Sequence, residues 1–242
     1  MLAAGQGTRL RPLTLTVPKC LVPILGRPLL DYWIKLFERH EKDLDLWVNV
    51  YHLKEPITTY LEGRNFKNIV IHVVEESALL GTGGTLKSLM PNFLNGRPLL
   101  LAHADNLTWF ELRDFIDAYN SRPKGTEITM MTFRSDAPQA CGIVKIDEKG
   151  VVQNFYEKVR NPPGNLASGA VFILSPVALS RINKMPAISD FSRDVIPKFL
   201  GEINTWENRC YHRDIGTPGD YDRANRDFEA IAEKFDLVDS QP

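Results

Sequence analysis

The first half of the chain alternates short apolar runs with stretches whose apolar residues recur at helical spacing. Leu2-Ala3-Ala4 reads as the end of a strand. From Pro28 to Arg39, the residues Leu29, Leu30, Trp33, Ile34 and Phe37 fall on one face of a helix. Leu46 to Val50 and Ile69 to Val74 read as strands, with a short helix from Glu55 to Glu62 between them. A helix is expected from Gly84 to Met90, a buried strand from Pro98 to Ala102, and a helix from Thr108 to Tyr119. This βαβα order predicts an α/β chain with a mostly parallel sheet and helices on both faces.

The second half has a different pattern. Glu127 to Phe133 reads as a strand, and Gly142 to Asp147 pairs with Val151 to Phe155 across a turn at Asp147–Gly150. Ala170 to Leu174 is a further strand. Helices are expected over Pro176 to Ile182, Phe191 to Phe199 and Pro218 to Phe235. Asp239 to Pro242 is polar and expected to fray. With no internal repeat and no low-complexity linker, residues 1–242 read as one domain whose character changes near residue 125. Only Met1 to Ala4 precede the turn at Gly5. A strand usually has about 5–6 residues, so either this first strand is unusually short or, the reading favoured here, the natural chain starts a few residues earlier.

Composition narrows the function classes. The 242 residues are 43% hydrophobic, ordinary for a globular protein, and the net charge is -1. No broad basic field can hold nucleic acid by counterion release, so nucleic acid is not an expected partner and phosphate must be bound locally. Cys20, Cys141 and Cys210 form no CxxC pair. That argues against a disulfide framework and for a reducing, cytoplasmic setting. No apolar run approaches the ~20 residues that span a bilayer. The start does not read as a signal peptide, and no membrane partner is expected.

Three segments then carry chemistry. In Leu2-Ala3-Ala4-Gly5-Gln6-Gly7-Thr8-Arg9-Leu10 the glycines would let backbone N–H groups approach a polyphosphate, while Arg9 and Arg11 supply charge. No GKS or GKT follows, and Leu10 stands where a dinucleotide fingerprint needs glycine, so a simple strand-to-helix turn is the alternative. Leu80 to Leu86 contains Gly81, Thr82 and Gly83. These could receive a flat base against the backbone, or start a helix with Thr82 or Thr85 as cap. Leu99 to Asn106 reads as a buried strand delivering Asp105 at its C-terminal end, where ligands of open α/β sheets collect. A hard cation such as Mg²⁺ takes one or two carboxylates plus phosphate and water oxygens.

The string LAAGQGTRLRPLT followed by VPKCLVPILGRPLLDY, over residues 2 to 31, resembles the opening signature of the sugar-phosphate nucleotidylyltransferase family, which makes NDP-sugars. The resemblance implies a Rossmann-like three-layer α/β/α fold with a mostly parallel mixed sheet. It implies nucleotide contacts from Leu2, Ala3, Ala4, Gly5, Gly7, Thr8 and Arg9, and a Lys19 that reaches the phosphates. Arg9, Lys19 and Asp105 are the implied catalytic residues. Glu75-Glu76 through Leu86 resembles the family's EExxLGTxGxL motif, with Gly81, Thr82 and Gly83 as base contacts. Its GTGG form most resembles guanylyltransferases acting on mannose- or heptose-type phosphates. Tyr211 to Pro218, with Tyr221, resembles WxDIGTPxDY, so Asp105 and Asp214 would hold Mg²⁺.

The sugar side resembles the family less closely. Cys141-Gly142-Ile143-Val144 is similar to YGVV, and Glu157-Lys158 to EKP with Val159 in place of proline. Ala104 and Ala167 stand where the family has glycine and asparagine, and Ser168 or Asn165 could substitute for the latter. Asn106, Gly142, Glu157, Lys158, Ser168 and Gly169 are the implied sugar-phosphate contacts. His103 reads either as packed or as facing the ribose or metal waters. The implied reaction moves a nucleoside monophosphate from an NTP, GTP favoured, to a sugar 1-phosphate. Cytidylyl or uridylyl transfer to another phosphorylated sugar or alcohol is the alternative, and a silent nucleotide-sugar-sensing subunit a minor one. The chain is expected to be a stand-alone catalytic domain, with a nucleotide-binding half over about 1–125 and a sugar-binding half over about 126–242. Homo-oligomer formation is left open.

Overall fold

The computed structural model describes residues 1–40, 43–235 and 237. The frayed end expected over Asp239 to Pro242 lies outside them. The elements in chain order begin with β1 (Pro23–Ile24), β2 (Arg27–Pro28), α1 (Leu29–Glu38), β3 (Leu44–Val50), α2 (Lys54–Glu62) and β4 (Ile69–Glu75). Then come α3 (Gly81–Ser88), α4 (Met90–Phe93), β5 (Leu99–Ala102), β6 (Asn106–Trp109), α5 (Leu112–Asn120) and β7 (Ile128–Arg134). The remainder are β8 (Gly142–Ile146), β9 (Val152–Glu157), β10 (Leu166–Leu174), α6 (Pro176–Lys184), β11 (Ile203–Glu207), β12 (Tyr211–Asp214) and α7 (Pro218–Lys234). They divide into two compact units.

The first unit comprises Met1–Leu79, His103–Leu112 and the chain from Arg209 onward. Its centre is parallel. β3 runs beside β4 from Leu44↔Ile69 to Val50↔Glu75, and Leu2 bridges in parallel to Asn49 on one side and His103 on the other. Parallel strands need both faces covered. α1 lies against β6 and buries Leu29, Leu30, Trp33, Ile34 and Phe37, the face predicted from spacing, together with Leu36. The Tyr32 hydroxyl, also buried, donates to the Ile24 carbonyl at 2.7 Å. The antiparallel pair β6–β12 sets Asn106 opposite Asp214. The Thr217 hydroxyl accepts from the Asp220 N–H and starts α7, as its place before Pro218 suggests.

The second unit comprises Leu80–Ala102 and Arg113–Asn208. Its six-stranded sheet has the order β11-β7-β10-β8-β9, with β5 also on β10. Pairing is antiparallel except between β11 and β7. The chain is therefore α/β with a mixed sheet, but parallel pairing is a smaller share than the element order predicts. The hairpin at Asp147–Gly150 and the long β10, which serves β5, β7 and β8, account for the antiparallel pairs of this sheet, and β1–β2 and β6–β12 add two more in the first unit.

Other boundaries differ for identifiable reasons. Asn106–Trp109 is a strand, and the helix expected from Thr108 begins at Leu112. Its partner β12 lies about a hundred positions away in the chain, beyond the reach of a local pattern. β10 begins at Leu166 and absorbs Ser168 and Gly169, with a register shift between Ser168 and Phe172 and a left-handed Ala170 at φ 53°. Phe191 to Phe199 forms a π-type turn, Phe191–Val195, and a 3-10 turn, Ile196–Lys198, in place of one helix. The strands Ile203–Glu207 and Tyr211–Asp214 are additions to the elements read from hydrophobic patterning.

Candidate active site

The loop after Leu2 is shaped by two contacts at Gly7. Its φ is 60°, a left-handed conformation that suits glycine, and its carbonyl accepts from the Thr14 hydroxyl at 2.7 Å. A Cβ there would lie 2.9 Å from Thr14 Cγ2 and 3.3 Å from Lys19 Cβ. The glycine thus lets the loop pack against the base of the Lys19 side chain. Thr8–Leu10 forms a 3-10 turn anchored by buried Leu10, which leaves Gly5, Gln6, Thr8 and Arg9 exposed. Ala3 and Ala4 are buried, and the Leu2 carbonyl accepts from the Ala104 N–H at 3.0 Å.

Lys19 is the centre of the charged cluster. Its side chain is only 8% exposed, and its ammonium donates to Asp105 Oδ2 at 2.7 Å and Asp214 Oδ1 at 3.1 Å. Arg9 Nη2 lies 3.6 Å from Asp214 Oδ2. Four residues spread over most of the sequence therefore meet within the first unit. Burial alone would lower the Lys19 pKa, but the two carboxylates outweigh it and raise the pKa above the ordinary lysine value. Burial likewise opposes charge on Asp105, yet the attraction of Lys19 prevails and holds its pKa below the carboxylate range. His103 adds to the same effect. His212, on β12, is pushed down to about 3 by burial, so it is neutral at pH 7.

Two carboxylates that share one ammonium form a compact anionic pair. Among the described residues no group of three or more His, Cys, Asp or Glu gathers as a metal cage. The donor set fits a hard cation that keeps water and takes substrate phosphate oxygens, and does not fit an all-protein site. Asp105 and Asp214 are suited to Mg²⁺ in that sense. Gly216 supports the arrangement. A Cβ there would come within 3.0 Å of Asp214 Oδ2 and 3.2 Å of Arg9 Nη2.

Asn106 is buried beside Asp105, where its carbonyl accepts from Trp33 Nε1 at 2.9 Å. Asn49 belongs to no motif in the sequence. Its amide oxygen accepts from the Ala3 N–H at 2.8 Å, and its amide nitrogen donates to Glu76 Oε1 at 2.8 Å. The available signal is a lone polar residue in the apolar run Leu46 to Val50.

The remaining expected residues lie in the second unit. Gly81, Thr82 and Gly83 form the first turn of α3, which starts three residues before the expected Gly84. Their close backbone approach is to the protein itself. The Gly83 N–H donates to the Ser189 carbonyl at 2.9 Å, and the Phe191 N–H to the Thr82 hydroxyl at 2.8 Å. A Cβ on Gly81, whose φ is 76°, would sit 2.4 Å from the Ser189 carbonyl oxygen. Neither Thr82 nor Thr85 caps the helix through its side chain.

Gly142 pairs with Glu157 across β8 and β9. A Cβ on Gly142 would meet Phe155 Cζ at 2.4 Å and Glu157 Oε2 at 2.8 Å, so the glycine makes room for both side chains. Lys158 is left-handed at φ 50°, donates its N–H to the Cys141 carbonyl, and places Nζ 3.5 Å from Glu157 Oε1. Gly142, Glu157 and Lys158 thus come together. Ser168 and Gly169 sit on β10, where the Ser168 hydroxyl accepts from the Ala170 N–H at 3.3 Å. Among the described residues no helix is long and apolar enough to cross a membrane.

The chain is similar to several known proteins over most of its length. Mannose-1-phosphate guanylyltransferase of Mycobacterium tuberculosis is 28% identical over 231 residues, covering 94% of this chain and 63% of its own. The Arabidopsis thaliana mannose-1-phosphate guanylyltransferase 1 is 28% identical over 91% of this chain and 62% of its own. The chain thus spans about three fifths of the length of the curated relatives it matches. Among solved structures, HddC from Yersinia pseudotuberculosis complexed with GMP-PN is 25% identical, with a TM-score of 0.76 over 94% of this chain and 97% of that one. A Bacillus anthracis structure solved with sucrose shares the fold, with a TM-score of 0.82 at 17% identity over all of this chain and 94% of that one. The nucleotidyl transferase family model matches residues 1–231, and the chain belongs to that family.

Proposed function

We propose that the protein transfers a nucleoside monophosphate from an NTP to a sugar 1-phosphate, releasing pyrophosphate and giving an NDP-sugar. GTP is the favoured nucleotide and a mannose- or heptose-type phosphate the favoured acceptor. The observation that carries this reading is the Lys19 ammonium between Asp105 and Asp214, with Arg9 beside them and the Gly7 loop packed against Lys19. The mannose-1-phosphate guanylyltransferases among the relatives support the choice of GTP.

Residues 1–242 are read as one catalytic domain. Backbone N–H groups from Gly5 to Thr8 hold the triphosphate, with Leu2, Ala3 and Ala4 carrying that loop. Arg9 and Lys19 offset charge that develops on the departing pyrophosphate. Mg²⁺ held by Asp105 and Asp214 would supply further charge neutralisation on phosphate oxygens. Gly81, Thr82 and Gly83 border the base. Asn106, Gly142, Glu157, Ser168 and Gly169 form the sugar-phosphate set, in which Lys158 orients the attacking phosphate. That phosphate is largely ionised at neutral pH, so the chain need not contribute a general base. The setting is cytoplasmic, consistent with cysteines that form no CxxC pair, and homo-oligomers are compatible with the reading.

A pyrophosphate-release screen of the four NTPs against several sugar 1-phosphates, with Mg²⁺, tests the proposal. Release is expected with GTP and a mannose- or heptose-type phosphate. Preference for CTP or UTP would replace the base assignment. NDP-sugar binding with no pyrophosphate from any pair would replace an enzyme with a sensing subunit.

A further inference from the structure

We infer that Asn49 is a positioning residue for nucleotide binding, which sets the strand feeding the Gly5–Gly7 loop through a directional amide bridge to Glu76. The inference rests on the proposed nucleotidyl transfer and adds a residue to which no sequence motif points.

The argument begins with a backbone accounting problem. Leu2 lies between Asn49 and His103 and is paired in parallel to both. One residue later the chain leaves this ladder, and Ala3 is buried at 8% exposure. Its N–H needs an acceptor, because an orphaned buried donor costs the full desolvation of the group. The acceptor is the Asn49 side-chain oxygen at 2.8 Å, in a buried contact. Asn49 itself is 3% exposed, and its backbone N–H donates to the Met1 carbonyl at 3.3 Å.

The other end of the amide makes the contact directional. The Asn49 amide nitrogen donates to Glu76 Oε1 at 2.8 Å. Ala3 N–H can only donate and an ionised Glu76 can only accept, so one orientation of the amide satisfies both. Glu76 is held in turn by its own N–H, which donates to the Val50 carbonyl at 2.9 Å. The chain from Glu76 through Asn49 to Ala3 therefore fixes the backbone two residues before Gly5. A loop held in its binding conformation before the ligand arrives pays less ordering cost on binding, which is why a tie remote from the phosphates affects their affinity.

The bridge predicts a reversal that a merely space-filling residue would not show. Asn49→Asp keeps an acceptor for Ala3 but sets a carboxylate against Glu76. Glu76→Gln alone keeps an acceptor for the Asn49 amide. The double variant, Asn49→Asp with Glu76→Gln, restores a donor–acceptor match, because the introduced glutamine amide donates to the introduced carboxylate. Wild type and the three variants are compared by calorimetric titration with GTP, by steady-state pyrophosphate release, and by thermal unfolding.

Asn49→Asp is expected to weaken GTP binding at least about tenfold, with KM for the sugar 1-phosphate unchanged. Glu76→Gln is expected within about 3-fold of wild type, and the double variant is expected to recover most of the lost affinity. Equal loss in Asn49→Asp and the double variant would overturn the bridge. A lowered Tm with GTP affinity and kcat both unchanged would reduce Asn49 to a folding residue, and a fall in kcat alone would overturn its role in binding. Wild type that binds no GTP and releases no pyrophosphate would instead sink the guanylyl-transfer reading, and this inference with it.

Discussion

At the scale of single residues, Lys19 is the most constrained group in the charged cluster. A nearly buried ammonium is tolerable only because two carboxylates reach it. That redundancy makes a specific prediction. Asp105→Ala leaves Lys19 paired with Asp214, so the fold survives while Mg²⁺-dependent pyrophosphate release is abolished. Unchanged turnover in that variant would remove Asp105 from the reaction. Removing both Asp105 and Asp214 strands the ammonium and is expected to cost about 3–5 kcal/mol in urea unfolding. The pH dependence of that difference follows from the signs. Asp105 has a lowered pKa, so its contribution is present above the ordinary carboxylate value and is lost as pH falls through the folded one. Lys19 has a raised pKa, so its contribution is full below the ordinary lysine value and is lost as pH rises through the folded one. The stability gap between wild type and the double variant should hold across neutral pH and shrink below about pH 4. A gap that widens in acid would contradict the pairing.

At the scale of elements, the glycine-rich start of α3 is decided by packing within the second unit. Ser189 and Asp190 lie against Gly81 and Gly83, and Asp194 holds that segment by accepting from the Ser189 N–H at 2.7 Å and the Asp190 N–H at 2.9 Å. Gly81 and Gly96 have φ of 76° and 79°, but of the two only Gly81 has a neighbour within 4 Å of where a Cβ would stand. Both Gly→Ala substitutions incur the cost of a left-handed alanine, about 1 kcal/mol. Gly81→Ala should lose a further ~1–3 kcal/mol from the clash with the Ser189 carbonyl. Equal losses in chemical denaturation would show that the Ser189 segment yields freely to a methyl group. The same variant should weaken NTP binding if Gly81 borders the base. A second element-scale case is the β8–β9 hairpin. The Asp147 carboxylate accepts from the Lys149 and Val151 N–H groups at 2.9 Å each, which lowers its pKa. Asp147→Asn should lower Tm at neutral pH, and the deficit should fade in acid as the wild-type carboxylate protonates. A deficit independent of pH would assign it to the turn backbone alone.

At the scale of the whole molecule, ligand linkage is the most direct observable. A ligand at about 100 times its Kd stabilises by about 2.7 kcal/mol. GTP should therefore raise Tm more than ATP, CTP or UTP at equal concentration, and equal shifts would remove the base preference. The chain by itself carried the family signature and supplied the charged groups that meet around Lys19. A glycine-rich loop, an acidic strand end and DIGTP are local strings, and local strings survive translation into a line of letters. The α1 face was legible for the same reason, since helical spacing is a short-range pattern. Only the tertiary structure decided that Lys19, Asp105 and Asp214 share one ion cluster, that Asn106–Trp109 is a strand paired with Tyr211–Asp214, and that Asn49 ties Ala3 to Glu76. It also decided that the Gly81 and Gly83 backbone meets Ser189 and Asp190. These are contacts between segments distant in the chain. Their energies depend on burial and donor–acceptor matching, which no single segment contains.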